Sequence, residues 1–118
     1  MAKDLKVLSD FCDLMKYLTE RIEKFPRHHR YSLGLAMENR LQQILALLIR
    51  AKYSTAQDKK RMLSDVNIEL EVLRYQSRLA LECRSLPIKS HGHTAKLLEG
   101  VGQQVGGWLR ALSTSTPS

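Results

Sequence analysis

Residues 30–52 read RYSLGLAMENRLQQILALLIRAK. Leu33, Met37, Leu41, Ile44, Leu48 and Ala51 recur in this stretch at helical spacing, which marks one buried face of an α-helix. The pattern predicts a helix from about Arg30 to Lys52. Upstream, Pro26 removes an N–H and restricts Phe25, so a preceding helix must end there. Downstream, Tyr53-Ser54-Thr55 breaks the pattern, and Ser54 or Thr55 can cap the next helix. The same period governs both flanks. Leu8, Phe11, Met15, Leu18 and Ile22 predict a first helix over about Asp4 to Lys24. Leu63, Val66, Leu70, Leu73 and Ala80 predict a third, over about Ala56 to Arg84. After a turn at Leu86-Pro87 and Ser90-His91-Gly92-His93, Leu98, Val101, Val105, Trp108 and Leu112 predict a fourth, from about Thr94 to Leu112. No alternating strand pattern persists. Four helices joined by short connections give an all-α, up-down-up-down four-helix bundle. The reading is a single domain over residues 1–112, with Ser113–Ser118 (STSTPS) expected to be a disordered tail.

A chain of 118 residues can bury roughly 65% of its unfolded surface around one core, without a metal or disulfide. Cys12 and Cys83 lie far apart, and the N-terminus MAKDLK lacks a signal peptide's apolar segment, so a reducing cytoplasm is the expected compartment. No apolar run approaches the ~18–20 residues of a membrane span. Two helices are apolar on more than the core side. Ile68, Val72, Tyr75 and Leu79 lie opposite the core stripe of the third helix, and Leu35, Leu45 and Ile49 flank that of the second. Contiguous exposed apolar surface marks an interface. A homo-oligomer is therefore expected, with Leu45, Ile49, Ile68, Val72, Tyr75 and Leu79 between subunits. The fourth helix carries Gly100, Gly102, Gly106 and Gly107, each costing about 1 kcal/mol relative to Ala. Such a helix implies a close backbone approach, and Trp108 argues that it is anchored.

Charge is concentrated in one segment. The chain carries a formal +7, and between Pro26 and Arg61 eight Lys/Arg face only Glu38 and Asp58, for a local +6. A localised excess directs a field toward polyanions, of which nucleic acid is the commonest. Arg27, Arg30, Arg50, Lys52, Lys59, Lys60 and Arg61, with His28 extending the basic loop, are the candidate contacts. Arg74 and Arg78 stand one helical turn apart. Their spacing suits an anion held between them, or internal pairing of Arg74 with Glu71 and of Arg78 with Glu82. The pairs His28-His29 and His91-Gly92-His93 have no adjacent Cys or carboxylate at ligand spacing, so neither a metal nor another cofactor is expected. Ribonucleases of the higher-eukaryote-and-prokaryote nucleotide-binding class place a His a few residues after an Arg. Arg84 with His91 fits, but so does Arg21 with His28, and no nucleophile with a positioned base accompanies either. The chain is read as a non-enzyme.

Three stretches together carry a likeness: FPRHHRYSLGLAMENRLQQILALLIRA (residues 25–51), LEVLRYQSRLA (70–80) and LLEGVGQQVGGWLRAL (97–112). In this order they resemble the accessory variability determinant (Avd) family of diversity-generating retroelements, over about Phe25 to Leu112. The first 24 residues match less clearly. A sister group, the bundle proteins encoded in intervening sequences of bacterial ribosomal RNA genes, shares the fold. The resemblance implies a basic four-helix bundle assembled as a homopentamer. It further implies association with a reverse transcriptase and with RNA or DNA during mutagenic copying of a template RNA. By motif position, Arg74 and Arg78 match the family's third-helix arginines, tied to partner binding, and Pro26, Arg27 and His29 match its inter-helix turn. The reading is thus a nucleic-acid-binding accessory subunit. The alternatives are a structural bundle of the intervening-sequence type and a toxin-like RNA nuclease.

Overall fold

The computed structural model describes residues 2–115 along the backbone and residues 4–113 in side-chain burial. Helix α1 (Ala2–Ile22) leads into the Pro26 loop, a single turn α2 (Arg27–His29) and a π-helical turn over Arg30–Gly34. Helices α3 (Leu35–Lys52), α4 (Ala56–Glu82) and α5 (Ile88–Ser115) follow. α3 packs on α4, α4 on α5, α5 on α1 and α1 on α3, which closes an up-down-up-down four-helix bundle 51 Å long and about 20 Å wide. The predicted second helix, Arg30 to Lys52, is therefore two pieces, a π-helical turn and α3, with the single turn α2 ahead of them.

The stripes read from sequence meet in one seam. Met37, Leu41, Ile44, Leu48 and Ala51 of α3 are fully buried, as are Leu63, Val66, Leu73 and Ala80 of α4 and Leu98 and Val105 of α5. Trp108 is buried near the far end, and Leu33 and Leu112 pack against the core while partly exposed. In α1 the buried line is Val7, Phe11, Leu14, Leu18 and Ile22, while the predicted Leu8 and Met15 are only partly buried. Both lines have helical spacing, but the Val7 side faces α5, where it meets Gln104 and Gly107. Packing against α5 rotates the buried face by part of a turn. Asp10 strengthens the same contact by accepting hydrogen bonds from Gln104 and Lys6. The Gln104 amide, with Lys6 beside it, holds the Asp10 carboxyl below the ordinary carboxylate range, against a partial desolvation that would raise it.

Helix boundaries follow specific caps. The Thr55 hydroxyl accepts from the Asp58 N–H at 3.3 Å, so Thr55 rather than Ser54 caps α4. At its other end α4 closes in a Schellman motif, with Ser85 N–H to Ala80 C=O at 2.9 Å and Arg84 N–H to Leu81 C=O at 3.0 Å. The fourth bundle helix starts earlier than the sequence suggested. His91 N–H bonds Pro87 C=O at 2.9 Å, so Ser90-His91-Gly92-His93 forms the opening turns of α5 rather than a loop. Pro is well placed just before these turns, since its missing N–H would go unpaired there anyway. Thr94 donates back to the Ser90 carbonyl at 2.8 Å, which satisfies a buried hydroxyl that otherwise favours a turn. At the C-terminus α5 continues through Ser115, past the expected boundary at Leu112, and residues 116–118 lie outside the described residues.

The close backbone approach expected along α5 is not found among the described residues. A Cβ on Gly100 or Gly102 would meet nothing within 4 Å, and at Gly106 and Gly107 only the Arg110 guanidinium is near. The tight position is Gly34, which ends the π-helical turn. A Cβ there would lie 2.8 Å from the buried Ile22 Cγ2 and 3.4 Å from both Phe25 and the His29 carbonyl. Overpacking of this kind destabilises by about 1–3 kcal/mol. Gly34→Ala is expected to lower stability by that amount in urea titrations. Gly100→Ala, in open space, is expected to raise it by up to ~1 kcal/mol through helix propensity.

Candidate nucleic-acid and partner surfaces

An antiparallel chain path divides the basic segment. Arg27, His28 and Arg30 stand at the end where Pro26 and Pro87 make the connections, here the proline end. Arg50, Lys52, Lys59, Lys60 and Arg61 stand at the opposite end, around the Tyr53-Ser54-Thr55 loop. At 1.5 Å per helical residue, the two groups are on the order of 30 Å apart. The single patch expected from sequence is two patches. Arg40, midway, belongs to neither: its guanidinium bonds Glu69 and Gln76 of α4 and staples α3 to α4.

At the Tyr53 end, Arg61 pairs with Asp58 at 2.9 Å, which neutralises part of that charge. Lys52 lies 5.4 Å from the ring centre of the well-exposed Tyr53, a cation–π distance, and Ser54 donates to the Arg50 carbonyl at 2.6 Å. Arg50 lines a groove with Gln43, Ala46, Leu47 and Glu69 between α3 and α4. At the proline end, the His29 Nδ1 and Ser85 Oγ are hydrogen-bonded at 2.8 Å, which joins the α1–α3 connection to the α4–α5 connection. Arg30 lies 5.6 Å from the ring centre of exposed Tyr31, and His28 stacks obliquely on His29. Sequence reading gave Ser85 and Tyr31 no role, since nothing in their local pattern shows that two loops 56 residues apart meet.

The outer face of α4 carries the other candidates. Arg74 donates to Glu71 at 2.6 Å and Arg78 to Glu82 at 3.3 Å, the internal pairing that spacing had left open. All four side chains are at least half exposed, so each pair contributes little and can exchange partners. Arg74 also lines a groove between α4 and α5 with Asn67, Leu70, Glu71, Glu99, Gly102 and Gln103. Beside it runs the second apolar stripe: Ile68 is 61% exposed, Tyr75 60% and Leu79 47%, while Val72 is half-buried. On α3, Leu35 and Ile49 are exposed and Leu45 packs partly against the core. Leu35, Leu45 and Ile49 lie on the side of α3 away from the groove shared with α4, so the molecule has two separate apolar patches.

The histidine pairs do not converge. His28 stacks on His29, whereas His93 packs edge-on against Tyr17, with Arg21 over the same ring at 5.1 Å. Among the described residues no three His, Cys, Asp or Glu side chains gather at metal-binding distance. Neither Arg84 with His91 nor Arg21 with His28 is joined by a hydrogen bond. No helix is long and apolar enough to cross a membrane among the described residues.

No curated protein matches the sequence. A family model described as bAvd-like matches residues 6–112, so the likeness takes in most of α1 as well as the three later bundle helices. Coverage of nearly the whole bundle makes the conclusion plain: the chain belongs to the bAvd-like family, a family of accessory proteins of the Avd type.

Proposed function

We propose that this protein is a non-enzymatic accessory subunit of a diversity-generating retroelement, acting in the cytoplasm with its reverse transcriptase and template RNA. The observation that carries the reading is the bAvd-like match across residues 6–112. Two basic ends on a +7 chain support it, since they supply electrostatic attraction to a phosphate backbone without any arrangement for base readout. The test is co-purification with the polymerase encoded beside the gene, together with titration of RNA at several salt concentrations. Affinity is expected to fall steeply with salt and to vary little with base sequence. A flat salt response or a marked preference for one short sequence refutes the electrostatic mode.

Assembly follows from the two apolar patches. Because they occupy different faces, a contact that seats one on the other is head-to-tail, and head-to-tail contacts form a ring when the rotation between neighbours closes. The α4 stripe (Ile68, Val72, Tyr75, Leu79) of one subunit seats on the α3 patch (Leu45, Ile49) of the next, in a homopentamer. Five copies carry about +35, a field strong enough to steer nucleic acid toward the ring. Light scattering is expected to give a mass several times 13.5 kDa, and Ile68→Asp with Tyr75→Asp to give a folded monomer. A wild-type monomer at micromolar concentration overturns the assembly.

Arg74 and Arg78 are the partner contact in this reading. They border the apolar stripe, and their pairs with Glu71 and Glu82 are weak enough to yield to phosphate or to an acidic surface of the polymerase. Replacing both by Ala is expected to weaken polymerase binding. Thermal stability should change by under ~1 kcal/mol, because each exposed helix pair contributes only ~0.3–0.5 kcal/mol. Normal binding by the folded double variant shows that these arginines serve only their internal pairs.

A further inference from the structure

Three features meet at the proline end. The first is the π-helical turn Arg30–Gly34, a type of irregularity that recurs at functional sites. The second is Arg84, whose φ of 62° is the only positive value among the described non-glycine residues. It occupies the position after the α4 cap where a left-handed residue is needed and Gly is the usual choice. The third is the His29–Ser85 hydrogen bond, which ties these two irregular segments together. Arg30 is the neighbour of His29 and Arg84 is the neighbour of Ser85, so the bond brings two exposed arginines to one junction. No ion pair of the described residues uses Arg27, Arg30, Arg84 or Lys89. Glu82, the acid nearest Arg84 in sequence, is paired with Arg78 in this structure.

A conformation that disfavours Arg persists where the side chain has a use. The neighbouring surface indicates what that use is. Tyr31 is 65% exposed in the π-helical turn, with Arg30 against its ring, and His28 is exposed on the adjacent turn. Unpaired cations interleaved with exposed aromatic rings are what single-stranded nucleic acid requires, since phosphates take the charges and unstacked bases lie on the rings. A duplex, whose bases are already stacked, gains nothing from Tyr31. We propose that the proline end is a single-strand binding site in which Arg84, Arg30 and Arg27 hold successive phosphates and Tyr31 stacks a base. Arg84 is the residue that the sequence reading had met only as half of an unspecific nuclease pattern. The site rests on the nucleic-acid-binding reading above and adds to it a location and a strand preference.

The test uses the full chain and a fluorescently labelled twelve-nucleotide oligouridine, read by anisotropy across a salt series. Arg84→Gly is expected to raise the thermal midpoint by relieving the left-handed backbone, while weakening binding roughly fivefold and flattening the salt slope by about one unit. Arg84→Lys, which keeps charge and strain, is expected to restore the slope. Tyr31→Ala is expected to weaken binding about tenfold with the slope unchanged. A duplex of the same length should bind more weakly, and polyglutamate, which carries negative charge but no base to stack on Tyr31, should compete only weakly. Full-strength binding by both Arg84→Gly and Tyr31→Ala overturns the site but leaves nucleic-acid binding standing elsewhere on the molecule. Equal affinity for the duplex overturns the strand preference, and efficient occupation by polyglutamate indicates an acidic protein partner instead. Absence of oligonucleotide binding by the wild-type chain overturns both the site and the reading beneath it.

Discussion

Four helices packed in a square can enclose one seam, and each helix gives that seam a single stripe. This constraint organises the rest of the molecule. Phe11, Leu18, Met37, Leu41, Leu63, Leu73 and Leu98 are fully buried in the seam, and burying such side chains yields roughly 1.5–3 kcal/mol each before entropy is counted. Helix α4 contributes Leu63, Val66, Leu70 and Leu73 to the interior. It has no second interior to receive Ile68, Tyr75 and Leu79, which a helix of this pitch must place on the opposite side. The bundle is thus complete as a fold and incomplete as a surface. The proposed assembly begins from that surplus.

Much of this was legible because helical spacing is a local property. The stripes of α3 and α4 read directly from residues 33–51 and 63–80, and most of the predicted core positions in them are buried. The exposed apolar groups were equally visible, since a helical period identifies the back of a helix as well as its front. The first helix shows the limit. Leu8 and Met15 keep the same spacing as Val7 and Leu14, and only the side from which α5 approaches decides between the two lines. Helix α5 shows another limit. Ser90, His91, Gly92 and His93 each favour turns in isolation, yet the Pro87 carbonyl and the Thr94 hydroxyl satisfy the groups that would have made one.

The candidate sites were less legible, for a reason of topology. Linear charge density treated residues 26–61 as one basic segment, but a helix of 18 residues between its two halves carries them to opposite ends. Conversely, Ser85 and Arg84 lie in a stretch of near-neutral charge and gain meaning only when His29 arrives from 56 residues away. The glycines illustrate the same point. Counting them drew attention to α5, where Gly100 and Gly102 face open space, while the position that tolerates no Cβ is the solitary Gly34 against Ile22.

An even number of bundle helices has one more effect. α1 begins and α5 finishes at the Tyr53 end, so both described chain ends and the α3–α4 loop share one pole, and the two proline loops share the other. Cyclic symmetry about an axis parallel to the helices repeats each pole on its own rim. A ring built this way has a front and a back of different chemistry. One rim collects His29–Ser85 junctions, the other collects termini and Tyr53 loops. In the proposed assembly, a strand or a polymerase meeting such a ring would encounter a direction, a means by which a symmetric assembly could orient an asymmetric reaction.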